Sequence, residues 1–351
     1  MCYWDDGRFV VHNFASRRAV QATPVITRIL EICDDWQPLA AILDAMCGYE
    51  DASVRRAVDQ MVDHSLLRRS DQPATATDRA MAAWTKWNPA AGFFHFTTKD
   101  ERFPASPEDA DRQWQRYGPQ APMPRPVKSY GKHATVTLPA AKRDGEFPNL
   151  LGARRTWREF SLRPVELADL ATVLALTWGV QKWGRVPGEG RIALKTSPSG
   201  GARHPGEVYV LALRGKGLER GVYHYAADRH RLTRLAGGAT RRDVRAYLPG
   251  QPWYESAAVL LLMTAVFPRE QWRYHFPRAY RAVLLDAGHL CQTCCLVATW
   301  LGLAPFCSMA FPDSRIERDL GIDGVTESAL YIAGLGMPPR HGWRPWQPGR
   351  I

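Results

Sequence analysis

The sequence contains no uninterrupted apolar run of eighteen residues, the length that a membrane-crossing helix needs. Its opening residues, Met1-Cys2-Tyr3-Trp4-Asp5-Asp6, lack the basic and then apolar order of a secretory signal, so a cytoplasmic protein without a membrane partner is expected. No internal repeat is found, which excludes a solenoid. Cysteine is sparse and odd in number, seven in 351 residues, a pattern of reduced thiols and not of a disulfide framework. The group Cys291-x-x-Cys294-Cys295 has no second C-x-x-C and no histidine pair at zinc spacing, so it reads as buried structural thiols and no metal is expected. Acidic residues are outnumbered, 35 against 46 Lys and Arg. The resulting net charge of +11 suits an anionic partner, whether a cofactor phosphate, an acidic peptide or nucleic acid.

What is present describes a globular chain, 45% hydrophobic and 23% charged, too long for a single ordinary core. Residues 1–71 hold three short helical patterns. Val25, Ile26, Ile29, Leu30 and Cys33 recur at helical spacing, Pro38 opens a second helix through Met46, and Ala52 to His64 reads as a third. Ser65 to Arg69 follows as a strand-like exit, which together suggests a winged-helix-like module. Such a module places its third helix in a DNA groove or holds a peptide. Arg55 and Arg56 on that helix are offset by Asp51, Asp59 and Asp63, which argues against nucleic acid and leaves peptide recognition. Residues 72–148 read as a connector packed on the main domain, with a helical stretch at Met81–Trp87, a proline-rich run from Tyr117 to Pro126 and a strand over Ala134–Leu138.

From residue 149 to 351 the chain carries its chemistry. Arg154-Arg155-Thr156-Trp157-Arg158 offers three guanidinium forks and a hydroxyl, a donor set that either clamps a phosphate or forms a solvated basic turn. Pro164 and Glu166 start an amphipathic helix through Leu167, Leu170, Val173 and Leu174. Ser197-Pro-Ser199-Gly200-Gly201 lets backbone approach a ligand closely, although most glycine-rich loops are only turns. Strands are expected at Glu207–Leu213 and Ala257–Val266, a hairpin at Gly221–Tyr225 with Arg231–Leu235 around Asp228, and a long apolar helix at Ala279–Leu303.

In this order, RRTWREF, SPSGGARHPGEVYV, GVYHY, RAYRAVLLDAGHLCQ and LGIDGVTESALYIAGLG resemble the nitroreductase-like flavoenzymes, in particular their SagB-type dehydrogenase branch, which matures ribosomally made peptides. The resemblance covers roughly Asn149 to Arg340 and implies an α+β fold, a mixed sheet flanked by helices, that binds FMN across a two-fold homodimer interface. By the same resemblance, Arg154, Arg155, Thr156 and Arg158 hold the phosphate and ribityl chain. Ser199, Gly200 and Gly201 lie along the flavin with Arg203 close by. Ser308, Met309 and Ala310, after Cys307, match the place where a backbone amide approaches flavin N5, and Arg340 matches a late basic residue near the phosphate. Simpler members carry an amide side chain at the position of Ala202, where this chain departs. Azoline-oxidising relatives place a Lys-Tyr pair shortly before the RAYR segment, where this chain has Arg273 and Tyr274.

Arginine does not deprotonate, so Arg273 can stabilise an anion, whereas Tyr274 or His275 can take a proton. An interfacial aromatic-basic loop is the plainer reading of the same residues. The function implied is an FMN-dependent oxidation of a peptide or peptide-derived substrate, azoline to azole or a related two-electron dehydrogenation. The alternatives are an NAD(P)H-dependent nitro or quinone reductase, and a non-catalytic peptide- or DNA-binding protein.

Overall fold

Three short strands precede the helices at the start of the chain. In the computed structural model, which describes residues 1–101, 103–104, 106–117, 126 and 138–345, β1 (Cys2–Asp5), β2 (Arg8–Asn13) and β3 (Arg18–Gln21) form an antiparallel meander. The helices α1 (Pro24–Ile32), α2 (Leu39–Ala45) and α3 (Asp51–Asp63) follow. Thr23 starts α1 by accepting from the Ile26 amide, with Pro24 in the first turn where its missing N–H costs nothing. Ile29, Ile42, Leu43, Met46, Val54 and Met61 make the core of the three helices.

The strand expected at Ser65–Arg69 is a turn. The amides of Leu66 and Leu67 both donate to the Met61 carbonyl, at 2.8 and 3.1 Å, and their side chains join the helical core. Capping a helix end satisfies an otherwise orphaned carbonyl, and that outweighs an isolated extended segment with no partner strand. Helices α4 (Ala76–Ala83) and α5 (Ala90–Thr97) come next; α4 begins in a capping box between Thr75 and Asp78. Residues 1–99 and 271–280 make one compact unit. Within it Trp84 and Trp87 are fully buried, Trp84 stacks on His95 at 4.7 Å, and the Tyr280 hydroxyl meets His95 Nδ1 at 2.9 Å.

The second unit comprises residues 100–270 and 281–351. Its elements are α6 (Pro107–Tyr117), α7 (Glu146–Ala153), β4 (Val165–Glu166), α8 (Leu167–Thr177), β5 (Lys182–Val186), β6 (Gly190–Leu194), β7 (Gly206–Ala212), β8 (Gly215–Lys216), β9 (Gly221–Ala226) and β10 (Arg231–Gly237). They continue with α9 (Arg241–Tyr247), β11 (Val259–Val266), α10 (Phe267–Gln271), α11 (Ala279–Trp300), β12 (Ala304–Ser308), α12 (Asp313–Leu320) and β13 (Glu327–Gly336). The proline-rich run before Pro126 and the strand expected at Ala134–Leu138 lie almost wholly outside the described residues.

The central sheet has the order β10-β9-β7-β11-β13-β12. Every pairing in it is antiparallel, so the mixed sheet expected from the resemblance is corrected. Among the described residues, parallel pairing occurs only between the two-residue strands β4 and β8. Strand β11 is buried on both faces, and its alternation assigns them: Val259, Leu261 and Met263 pack with α8 and α11, while Leu260 and Leu262 pack with Val244, Tyr247 and Phe306. Helix α11 is long and apolar enough to cross a membrane, yet Leu290, Cys291, Cys294, Cys295 and Ala298 are core residues.

Candidate active site

The Arg154–Arg158 segment leaves α7 at Arg154 and runs extended, because its carbonyl and amide groups find partners elsewhere in the unit. The Trp157 amide donates to the Pro305 carbonyl of β12 at 3.0 Å, and the Ser161 amide donates to Met337 at 2.9 Å. The segment after Arg340 lies against it. Trp343 Nε1 donates to the Thr156 carbonyl at 3.1 Å, His341 Nε2 is 3.0 Å from Glu159, and the Arg155 guanidinium stands 5.7 Å from the Trp343 ring centre. Sequence-distant Arg154–Arg158 and Arg340–Trp343 are thus one neighbourhood. Arg154, Thr156 and Arg158 are half-buried, whereas Arg155 is exposed and turns its donors onto the Gly152 and Arg154 carbonyls.

Between β6 and β7 the chain turns sharply at Ser199-Gly200-Gly201. Gly201 adopts φ +54°, a left-handed value that suits glycine, and Ala202 and His204 are held at φ +54° and +46°. The Ser199 hydroxyl accepts from the His204 amide at 2.9 Å and pins the turn. Arg203 does not stand free toward a ligand: it pairs with Glu189 at 2.9 Å and donates to the Gly201 carbonyl. Lys195, Ser199, His204 and Asp286 line a small cavity beside the loop. Burial, then the charges of Lys195, Arg203 and Arg269, push His204 down to about 4.

Two carboxyl groups missed in the sequence stand under this turn. Glu270, on α10, is fully buried, and its Oε1 lies 2.8 Å from where a Cβ on Gly200 would sit. Burial and the neighbouring Asp286 charge raise it to about 7, partly offset by Arg203. Asp286, on α11, is also raised by burial, against the Ser199 hydroxyl, His289 and the Gly200 amide, which favour its charged form. Nothing in Phe267-Pro-Arg-Glu-Gln271 signals a buried carboxylate; only the packing against the Gly200 turn shows it.

Ser308 donates to Gln251 at 2.8 Å, the Ala310 amide is taken by Ser308 Oγ at 3.2 Å, and the Met309 side chain is exposed. The sulfur atoms of Cys291, Cys295 and Cys307 lie within 4.8 Å of one another, with Tyr331 donating to Cys307. The pairing of Cys307 with the helical thiols was not legible in the sequence.

Arg273, Tyr274 and His275 belong to the first unit. The Tyr274 carbonyl accepts from Trp87 Nε1 at 3.0 Å, the Arg273 guanidinium lies 5.7 Å from the Tyr274 ring centre, and Lys86 Nζ is 3.0 Å from His275 Nε2. A lysine therefore does stand beside this trio, but it comes from the segment after α4 and not from the position occupied by Arg273.

A sequence profile of the nitroreductase family matches residues 151–337. A nitroreductase-like protein of Methanocaldococcus jannaschii is 31% identical over 174 residues, which are 50% of this chain and 83% of that protein. The trifolitoxin-processing protein TfxB of Rhizobium leguminosarum bv. trifolii is 36% identical over 143 residues, 39% of this chain. The match spans only 38% of TfxB. A solved structure of the E. coli microcin synthetase McbBCD complex with truncated pro-MccB17 is similar in fold, with a TM-score of 0.52 at 19% identity, covering 77% of this chain and 100% of the matched chain.

Proposed function

Because the chain belongs to the nitroreductase family, whose members are oxidoreductases, we propose that it is an FMN-dependent dehydrogenase acting on a peptide or peptide-derived substrate in the biosynthesis of a ribosomally made natural product. The observation that carries the cofactor is the meeting of the Arg154–Arg158 segment with the segment after Arg340. Half-buried Arg154 and Arg158, the Thr156 hydroxyl and Arg340 offer the cationic and hydrogen-bonding donors that a phosphate and a ribityl chain need. Gly200 and Gly201 of the turn carry no Cβ, so their backbone lets a flat ring approach closely. When bound, FMN supplies a two-electron acceptor.

The peptide substrate is supported by the likeness to the trifolitoxin-processing protein and by the fold shared with the microcin synthetase. The oxidation is azoline to azole or a related two-electron dehydrogenation. Arg273, Tyr274 and His275, with Lys86 at His275, are the residues proposed to stabilise an anion or take a proton from substrate. The module of residues 1–71 is proposed to recognise a leader or carrier segment of the peptide. A homodimer is supported by the outer face of α11, where Leu284 and Leu285 are exposed beside exposed Gly288 and His289 at helical spacing.

The test is the visible flavin spectrum of the full-length protein titrated with FMN, followed by reduction with candidate substrate peptides. A protein that takes up no FMN overturns the proposal. One that binds FMN but is reduced only by NAD(P)H is a nitro or quinone reductase.

A further inference from the structure

Buried carboxylates without partners are costly, several kcal/mol per ion even after the protein relaxes, so such groups keep a proton or meet a compensating charge. Glu270 is 0% exposed and Asp286 5%. Both oxygens of Glu270 and Oδ2 of Asp286 have no hydrogen-bond partner among the described residues. The charged groups acting on the pair are few. Arg203 acts on Glu270 but is already paired with Glu189, and His289 acts on Asp286 from the same helix. The pair also touches the loop: Glu270 Oε1 stands where a Gly200 side chain would be, and the Ser199 hydroxyl and Gly200 amide face Asp286. Lys195 and His204 also line the cavity that Asp286 borders, and the loop assigned to the flavin thus rests on two acids of which Glu270 has no hydrogen-bond partner at either oxygen among the described residues.

We propose that Glu270 is a proton-exchanging residue of this site, its buried and unpartnered carboxyl taking up a proton under the Ser199–Gly201 turn as negative charge arrives there and releasing it as that charge leaves. A hydride delivered to bound FMN brings two electrons, one proton and one net negative charge. One further proton, drawn from water onto the Glu270 carboxylate, balances that charge, and its return accompanies reoxidation by the electron acceptor, an external two-electron oxidant. Glu270 acts here through the loop and is a positioning residue. A buried pair whose proton affinities are driven apart by proximity is the usual arrangement for such a role. Burial and the Asp286 charge place Glu270 at about 7, where it exchanges a proton near neutrality.

The role in charge balance rests on the FMN reading, whereas the proton on Glu270 does not, and the experiment separates them. Infrared titration of the full-length protein without added flavin should show a protonated carboxyl band that persists to near-neutral pH. Glu270→Gln should remove it, and Asp286→Asn should move its titration toward lower pH by removing the charge that raises it. A wild-type band that disappears in the ordinary carboxylate range, or one insensitive to both substitutions, overturns the proton on Glu270. In the FMN-loaded protein, proton uptake on reduction, followed with a pH indicator, should be lower in Glu270→Gln than in wild type. Equal uptake overturns the coupling, while failure to load FMN overturns the cofactor reading and leaves the infrared result standing.

Discussion

Trp343 Nε1 donates to the backbone carbonyl of Thr156 across 3.1 Å, joining residues 187 positions apart at the base of the basic cluster. This bond holds the Thr156 backbone between Arg154 and Arg158, so the geometry of the proposed phosphate clamp depends on Trp343, a residue with no charge of its own.

Trp343→Phe keeps the ring and removes the donor. A hydrogen bond of this kind contributes about 0.5–1.5 kcal/mol, so FMN affinity is expected to fall by up to roughly tenfold. Fluorescence titration with FMN measures it, and unchanged affinity would detach the tail from the clamp.

The double substitution Arg154→Ala with Arg158→Ala has a larger effect. Hydrogen bonds to charged groups are worth roughly 1.5–3 kcal/mol each, so FMN binding should weaken by at least about a hundredfold, and the remaining affinity should depend less on salt. Arg155→Ala should matter least, because Arg155 is exposed and turns Nη1 onto the Gly152 and Arg154 carbonyls. Flavin retention after gel filtration at two ionic strengths separates these outcomes.

Gly334 has no room for a side chain. An added Cβ would lie 2.1 Å from Phe306, which stacks on Tyr254 at 3.7 Å and cannot yield cheaply. Gly334→Ala should cost about 1–3 kcal/mol or more and lower the thermal midpoint, with partial recovery in Gly334→Ala/Phe306→Leu. Calorimetry of both variants provides the comparison, and an unchanged midpoint in the single variant would contradict the packing.

His204 is pushed down to about 4 in the folded protein, first by burial and then by Lys195. In the unfolded chain it titrates near 6.5. A folded group that resists protonation stabilises the protein above the unfolded pKa and loses that contribution as pH falls. Stability should therefore drop between about 6.5 and 4, and His204→Asn, which tolerates the positive φ, should flatten the drop. Denaturant midpoints across this window give the answer; parallel curves for the two proteins would remove His204 from the pH response.

Tyr274→Phe should slow substrate oxidation while leaving FMN bound, and Lys86→Ala should reproduce part of that loss through His275. Single-turnover reduction kinetics by peptide substrate distinguish these from a binding defect, since a structural loop would leave both variants at the wild-type rate.

Much of the second unit was legible because its signals are local. Strand β11 is a continuous apolar run, α11 combines length with apolar periodicity, and the β9–β10 hairpin turns beside Asp228 as its polar residues suggest. The first three strands went unread because Cys2–Asp5 and Arg18–Gln21 are four residues each and mostly exposed, with pairing and not pattern defining them. Leu66 and Leu67 misled in the other direction: their apolar character serves the helical core and not a strand. The β5–β6 hairpin leaves little signal in the sequence because both strands are largely solvent-facing and closed by glycines. At the site, clustered arginines and glycines announced themselves, but Glu270 did not. A buried carboxylate is defined by what surrounds it, and the Gly200 turn lies 70 positions earlier in the chain.

The first compact unit draws on two stretches of chain, residues 1–99 and 271–280, and the second stretch supplies Tyr280 to His95 and the Tyr274 carbonyl to Trp87. The amino-terminal unit is therefore not a cassette that a gene could gain or shed with one crossover. Removing it would strand a decapeptide elsewhere in the polypeptide without its tryptophan bed, and transplanting it would leave that bed unfilled. Swapping the amino-terminal unit between relatives should therefore succeed only when residues 271–280 travel with it.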